Sequence, residues 1–470
     1  MSEADYSPQA YEIEKAVLKS YLSPDGAVGD TESNQAQMDI SNIITGVAIS
    51  QSIDAVSFLV NVSVIDRANL LETVPLRAEE TLDLTILTND TGEKIEMKLR
   101  VYEISDVTFG SGMNGTNYTM KCVSQTTYDA TTRNITAPWQ GKIADGVQFF
   151  FNGYFGKVRD SETEGLPYNA KRFNIIKEPL RHLTVQDTDG IVEFIVPNIR
   201  PQSAMKFMAT RSYNPNTPSQ TFRFFERTDG YFFVTDEYFF KQNKEEYINL
   251  FYGIETPQVQ NPELDTKRVD KLKIISTGRN VPDHLYSGAY KSNVKEIDLV
   301  RGTVNTIHYD YTKDAKFVDA DGVQVKPKNS PHSKDFIADT FTDENAKDMV
   351  LFKDYAGLGD IPGSLRGEAH YATIAQNRIA YYHHIHDVQL SIEITGRSDI
   401  RPGKVVDLNI QSASLESGGD VSPQLNGRYL VSDTVHSYDK GSTTTNAKLI
   451  KLNWSGVTLE NKNENVEGPR

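Results

Sequence analysis

Cysteine is almost missing from this 470-residue chain, so no internal disulfide can brace it; the single Cys122 lies in an alternating run and reads as a buried thiol, not a nucleophile. CxxC and HExxH are absent, as are G-x-S-x-G and a P-loop, which removes the common signatures of zinc binding, serine hydrolysis and nucleotide hydrolysis. No apolar run of about 18 residues occurs, so no transmembrane helix is expected. The start, MSEADYSPQAYEIEKAV, is acidic and has no basic stretch followed by an apolar one. No secretory signal is therefore expected, synthesis is expected in a cytoplasm, and the N-x-S/T triplets at Asn61, Asn117 and Asn453 read as ordinary turn and strand residues. No period of about 20 to 50 residues recurs, which excludes a solenoid.

Positive charge is also short. With 64 acidic residues against 49 Lys and Arg, the net charge is −15, which argues against a DNA binder held by phosphate neutralisation. It remains compatible with a surface past which DNA slides. The many carboxylates single out no glycosidase pair. No convergent set of catalytic groups stands out, so no catalytic, cofactor-binding or metal-ligating residue is assigned, and the chain is not expected to be an enzyme.

Three of the nine histidines crowd into YYHHIHDVQLSIEITGRSDIRPG, residues 381 to 403. Before them, Ala372, Ala375, Ile379 and Tyr382 recur at helical spacing; after them, Val388, Leu390, Ile392 and Ile394 alternate with polar residues as in a half-buried strand. On a helix only His383 and His386 share a face, and on a strand only His384 and His386 do. The three cannot converge on one ion, and a structural zinc would need cysteine or histidine from elsewhere. The segment reads as a helix handing over to a strand.

Other stretches are β or decoys. EKIEMKLRVYEIS alternates as a strand with one wet face, after TLDLTILTNDTGEK, a strand ending in a turn at Asn89, Asp90 and Gly92. GSGMNG at 110 to 115 matches G-x-G-x-x-G, but a strand, not a helix, follows it, so it is a hairpin loop and no dinucleotide site. DSETEGLPYNAK starts like a calcium loop but puts Lys171 where the bidentate glutamate belongs. APWQGKIADGVQFFF has helical spacing at Ile143, Val147 and Phe150 or Phe151. QTFRFFERTDGYFFVTDEYFF is a hairpin expected to turn at Asp229-Gly230 with positive φ at both, and KFVDADGVQVKPK one turning at Asp321-Gly322. The aromatic residues around Arg223 and Arg227 fit a core or subunit contact better than base stacking, given the charge.

Length gives a prior of about three domains. Residues 1 to about 35 are polar and acidic without lasting periodicity and are expected to be an arm. The stretch from about 313 to 368 reads as an insertion of loops and short elements. Dense β pattern returns in VQLSIEITG, KVVDLNIQ, GRYLVSDTVHSYD and NAKLIKLNW. The fold class is mainly β with minor α (α+β).

Several stretches resemble a known family. NLLETVPLRAEETLDLTI followed by VYEIS is similar to the first barrel of the central baseplate hub protein of contractile-tailed bacteriophages, and FRFFERTDGYFFVTDEYF to that family's second domain. ITGRSDIRPGKVVDLNI and NGRYLVSDTVHSYDKGSTTTNAKLIKLNW resemble the closing barrel shared by T-even-type hubs and VgrG spike proteins. There Gly396, Pro402-Gly403, Gly427 to Val431 and Val435-His436 stand in the family's places. The chain departs from the pattern in a longer acidic N-terminal arm and a larger 313 to 368 insertion.

The resemblance implies a domain plan. It runs from an acidic arm at 1–35 to a first tube-like β-barrel at 36–130 and an α+β domain at 131–242. A discontinuous second tube-like barrel follows at 243–300 with 385–456, interrupted by a loop-rich domain at 301–384 that ends in a helix, and 457–470 is a polar tail. It further implies a homotrimer whose six barrels form a pseudo-sixfold ring in the virion, assembled in the host cytoplasm without membrane insertion. The implied partners are the central spike protein, the tail tube or its initiator, the tape-measure protein and the surrounding wedge proteins, with DNA only passing through. Two other classes compete. A receptor-binding, adhesin-like tail protein would bind host cells as an isolated chain, and a baseplate cell-wall hydrolase would clear host peptidoglycan in a zymogram.

Overall fold

The structure is a computed structural model and describes residues 10–20, 36–67, 70–73, 76–78, 80–110, 115–155, 182–217, 219–241, 246–253, 266–276, 281–299, 302–314, 317–318, 324–325, 346–352, 368–411, 425–439 and 441–451. It is mostly β with few helices. The strands in chain order begin with β1 (Tyr11–Ser20), β2 (Ala36–Asp39), β3 (Ile44–Ser52), β4 (Leu59–Asp66), β5 (Thr81–Thr88), β6 (Lys94–Phe109) and β7 (Thr116–Ser124). Strands β8 (Ile135–Gly141), β9 (Leu183–Val185), β10 (Val192–Ile199), β11 (Phe222–Arg227) and β12 (Gly230–Thr235) follow. Next come β13 (Ile248–Tyr252), β14 (Lys271–Ser276), β15 (Lys291–Asp298), β16 (Thr303–Asp310), β17 (Phe317–Val318), β18 (Gln324–Val325) and β19 (Lys347–Phe352). The last are β20 (Val388–Thr395), β21 (Val405–Ile410), β22 (Gly427–Asp439) and β23 (Ser442–Lys451). The longer helices are α1 (Gln125–Thr131), α2 (Ile143–Tyr154), α3 (Pro201–Arg211), α4 (Val281–Ser287) and α5 (Glu368–His384). Among the described residues no helix is long and apolar enough to cross a membrane.

Thirteen strands share one sheet. Its N-terminal half runs β3-β4-β7-β6-β5-β1-β2 and its C-terminal half β14-β20-β23-β22-β21-β13. Leaving β2 aside, both halves have the same plan. Two strands come first in the chain and end on opposite sides, and the next four (β4 to β7, or β20 to β23) lie in the spatial order first, fourth, third, second. One pairing differs: β1 meets β5 antiparallel, whereas β13 meets β21 parallel. The resemblance implied one barrel per half. Strand β22 is shared between the halves, and among the described residues no strand pair closes either half.

Alternation explains the curl of each half. The inward residues of the first half form one core, with Val60, Val62, Leu82, Leu84, Ile86, Leu99, Val101 and Cys122 all at 1% exposure or less. Val388, Leu390, Ile392 and Ile394 do the same for β20 in the second core, each burial contributing on the order of 2 kcal/mol.

The expected arm is corrected over Tyr11–Ser20, which is a strand between β5 and β2. A register shift between Ile13 and Lys15 moves the inward set from Ile13 to Ala16 and Leu18, which hides the alternation in the sequence. A second correction concerns the insertion. Strand β15, expected in the second barrel, pairs with β16 and β19 in a separate three-stranded sheet, so the insertion already includes residues 291–298.

Between the halves, α2 and α3 pack with the β11-β12 hairpin into a third core of Val147, Phe150, Phe151, Met205, Phe224, Tyr231 and Phe233. The β11-β12 turn is also corrected. Arg227 pairs with Gly230, so the turn residues are Thr228 and Asp229, neither with positive φ. Gly230 opens β12 at φ 157°, where a Cβ would come within 2.6 Å of the His182 carbonyl oxygen.

Candidate assembly interface

Strand β22 serves two neighbours on one side. Its Gly427–Leu430 stretch pairs with β21 and Asp433 to Asp439 pair with β3, while β23 covers the opposite side from Leu430 onward. Strand β6 holds the equivalent place in the first half. Residues Lys94 to Arg100 pair with β5 and β7 covers the other side from Leu99 to Phe109. Beyond Arg100, no strand of the described residues lies on the β5 side of β6.

Register supports the equivalence as far as Ser105, beyond which β6 has a second shift, before Thr108, that β22 lacks. Strand β6 shifts against β7 between Val101 and Glu103, and β22 shifts against β23 between Val431 and Asp433. Following the pairs across each half matches Val101 with Val431, Cys122 with Leu449, Val60 with Leu390 and Ile49 with Ile274. Strand β14 is thus the counterpart of β3, the strand that receives β22. It pairs with β20 on one side, and no strand of the described residues lies on its other side.

These two edges are apolar where strands facing water are usually polar. On β6, Val107 is 42% and Phe109 75% exposed; on β14, Ile274 is 46% and Ile275 48% exposed. Their charges have opposite sign, with Glu103 and Asp106 along β6 and Lys271 and Lys273 along β14. A backbone edge carrying exposed apolar side chains is a template for strand addition, and opposite charge sets its orientation.

The junction already made within the chain is locked by polar groups from three segments. In the β5-β6 turn, Asp90 accepts from the Ser398 amide at 2.5 Å, and Glu93 accepts from Arg401 Nη2 at 2.5 Å. Arg401 also lies 3.7 Å from Asp229 in the β11-β12 turn. Arg227 donates to both oxygens of Asp229 at 2.8 and 2.6 Å and to the Pro402 carbonyl at 3.0 Å. Burial alone would raise the Asp229 carboxyl, but Arg227 and Arg401 outweigh it and hold it below its ordinary value. Behind this cluster His436 is fully buried, its Nδ1 3.0 Å from the Thr445 hydroxyl. Burial, then the Arg401 charge, pushes its pKa down to about 4, so the imidazole is neutral at pH 7.

The residues singled out in the sequence separate. Helix α5 and strand β20 form as expected, but the buried face of α5 is Asn377, Ala380, Tyr381 and His384, while Tyr382 is 48% exposed. The helix is rotated because it docks through polar groups: Arg378 donates to the carbonyls of Gln220 and Thr210 at 2.8 and 2.7 Å. The crowded histidines do not converge. His383 lies 3.4 Å from Asp283, His386 Nδ1 lies 2.7 Å from the Tyr382 carbonyl, and His384 points inward. Cys122 is buried and its thiol pKa is raised by that burial.

Arg223 is held by Asp236 and Asp54, and the hairpin aromatics are core. Among residues 110 to 115 only Gly110 and Gly115 are described; the Gly110 amide donates to the Gly115 carbonyl at 2.9 Å, closing the hairpin that β6 and β7 continue. The Lys171 run lies outside the described residues, as do residues 319–323 of the short β17-β18 hairpin. Sequence reading missed the two outer edges. Their signal was available in the apolar residues that interrupt the polar rows of VYEISDVTF and KLKIIS.

No protein-family model matches the chain, and no curated protein does. Among solved structures it is similar to the tail protein from Neisseria meningitidis MC58, at 10% identity and a TM-score of 0.49, covering 94% of this chain and 96% of that one. It is similar to the 43 kDa tail protein of prophage MuSo2 from Shewanella oneidensis, at 10% identity and a TM-score of 0.47, covering 93% and 97%. It is also similar to a chain of the lidded Francisella PdpA-VgrG complex, at 9% identity and a TM-score of 0.42; 95% of this chain matches, spanning 54% of that one.

Proposed function

We propose that the chain is the central hub subunit of a phage tail baseplate, a structural virion protein whose copies close head to tail into a ring. One observation carries the reading: two sheet halves share a plan, the junction between them is made once within the chain through β22 and β3, and the equivalent edges of β6 and β14 lie at the surface. A second copy fits those edges. Strand β6 beyond Arg100 pairs with β14 of the next copy as β22 pairs with β3 within one copy.

Such a contact is heterologous and must close in a ring or run on as a filament. Three copies present six similar sheet halves, a number taken from the hub resemblance, which fits a threefold spike on one side and a sixfold tail tube or its initiator on the other. The ring would encircle a channel for DNA and the tape-measure protein, with wedge proteins around it. The net charge of −15 favours passage of DNA without adhesion. The subunit acts by holding position, with no catalytic step, and is assembled in the host cytoplasm.

Light scattering on the purified chain, alone and mixed with its candidate spike protein, tests the reading. Three times the 52.7 kDa chain mass, or a complex with three such chains, is the expected result. A single-chain mass in both samples contradicts it.

A further inference from the structure

We propose a metal site that clamps the insertion to the large sheet. His284 on α4, His384 at the end of α5 and Asp387 in the turn before β20 are separated by up to 103 residues in sequence (387 − 284) and bring one ligand atom each within 4.8 Å of one another. All three are buried, at 4%, 1% and 3% exposure. Tyr311 and Tyr290 wall the cluster, their ring centroids 4.2 and 5.4 Å from that of His384.

The two imidazoles meet at one carboxylate. His284 Nε2 lies 3.6 Å from Asp387 Oδ1, and His384 Nδ1 lies 3.3 Å from Asp387 Oδ2. The His384–Asp387 contact is a long hydrogen bond, and the His284–Asp387 contact lies just beyond hydrogen-bond range. With one ligand atom from each residue within 4.8 Å of the others, small side-chain rotations bring the three to the tetrahedral edge of about 3.3 to 3.5 Å that bonds of about 2.0 to 2.1 Å to one ion require. Two imidazole nitrogens and one carboxylate oxygen suit a borderline divalent ion such as zinc better than magnesium or calcium, which take oxygen ligands. The described cluster supplies three donors, leaving the fourth corner to a solvent molecule.

The backbone presents these groups firmly. The Ala289 amide donates to the His284 carbonyl at 2.9 Å and the Asp387 amide to the His384 carbonyl at 3.1 Å, fixing the two bends from which the ligands project. The Ser276 hydroxyl at the end of β14 donates to the Asp387 carbonyl at 3.2 Å, tying the site to the sheet. An ion here joins α4 and the end of α5 to the start of β20. A zinc ion needs histidine beyond the local cluster, and His284 supplies it; no local pattern announces a partner so far along the chain.

The inference does not depend on the hub reading. The test uses the full chain, stripped with a chelator and titrated separately with Zn²⁺, Co²⁺, Mg²⁺ and Ca²⁺. Expected results are one Zn²⁺ bound per chain, a melting temperature raised by several degrees, and the intense visible absorption of tetrahedral Co²⁺. His284→Gln and Asp387→Asn should each weaken Zn²⁺ binding at least about tenfold and abolish the thermal shift, while His383→Gln keeps both. If a variant fails to fold, the Co²⁺ spectrum of the unmodified chain still decides. No stoichiometric Zn²⁺ binding, a stronger response to Mg²⁺ or Ca²⁺, or binding indifferent to both ligand substitutions would overturn the proposal.

Discussion

His436 on β22 stands directly opposite Ile49 on β3, and this pair marks the point where the second half of the sheet crosses onto the first. The corresponding position of β6 falls at Asp106 or Val107, within the register shift between Ser105 and Thr108, and the proposed ring sets it against Ile274 of the next copy.

Assembly should therefore fail on edge substitutions that leave the fold alone. Val107→Lys or Ile274→Asp puts a charge into the expected apolar contact while altering a side chain that is already about half exposed. The expected outcome is a single-chain mass in light scattering with a melting temperature within a few degrees of the unmodified protein. Unchanged assembly in both variants would exclude these edges.

The seam within the chain should respond the opposite way, in stability before assembly. Arg401 is nearly buried while its partner Glu93 is 39% exposed, so Arg401→Ala should cost about 2 kcal/mol, between an exposed and a buried pair. Urea unfolding measures it. A loss below about 0.5 kcal/mol would show that the junction is held by packing alone.

Stability should fall in mild acid through His436. Its folded pKa of about 4 lies below the ordinary unfolded value of about 6.5, so the unfolded chain binds the proton more readily. The contribution is complete above pH 6.5 and is lost as pH falls toward 4, to a ceiling of about 3 kcal/mol. Comparing urea midpoints of the unmodified chain and His436→Gln between pH 4 and 7 isolates it, and the variant should show the shallower decline.

Cys122 should not react with a thiol reagent in the folded protein. It is fully buried and its thiol pKa is raised, so labelling should track global unfolding. Rapid labelling in native buffer would contradict the closed core of the first half.

Much of the β framework could be read from alternation. Val388 to Ile394 alternate without interruption and form β20 as expected. Where alternation breaks, reading failed for a physical reason: the bulge after Ile13 concealed β1, and α5 docks by polar contacts that hydrophobic spacing does not register. The repeat of the two halves was hidden because it resides in strand order and register. Matched positions such as Cys122 and Leu449 share burial, not residue type.

The ring itself is tested most directly by covalent capture. Carrying the β22 and β3 register onto β6 and β14, through the pairing of Thr108 with Asn117, sets Thr108 opposite Lys273 of the next copy. In a Thr108→Cys, Lys273→Cys protein under mild oxidation, the account predicts a closed covalent trimer on a non-reducing gel, with Cys122 remaining reduced. Chains that stay monomeric, or that link only as symmetric pairs joining position 108 to position 108 or position 273 to position 273, would contradict it.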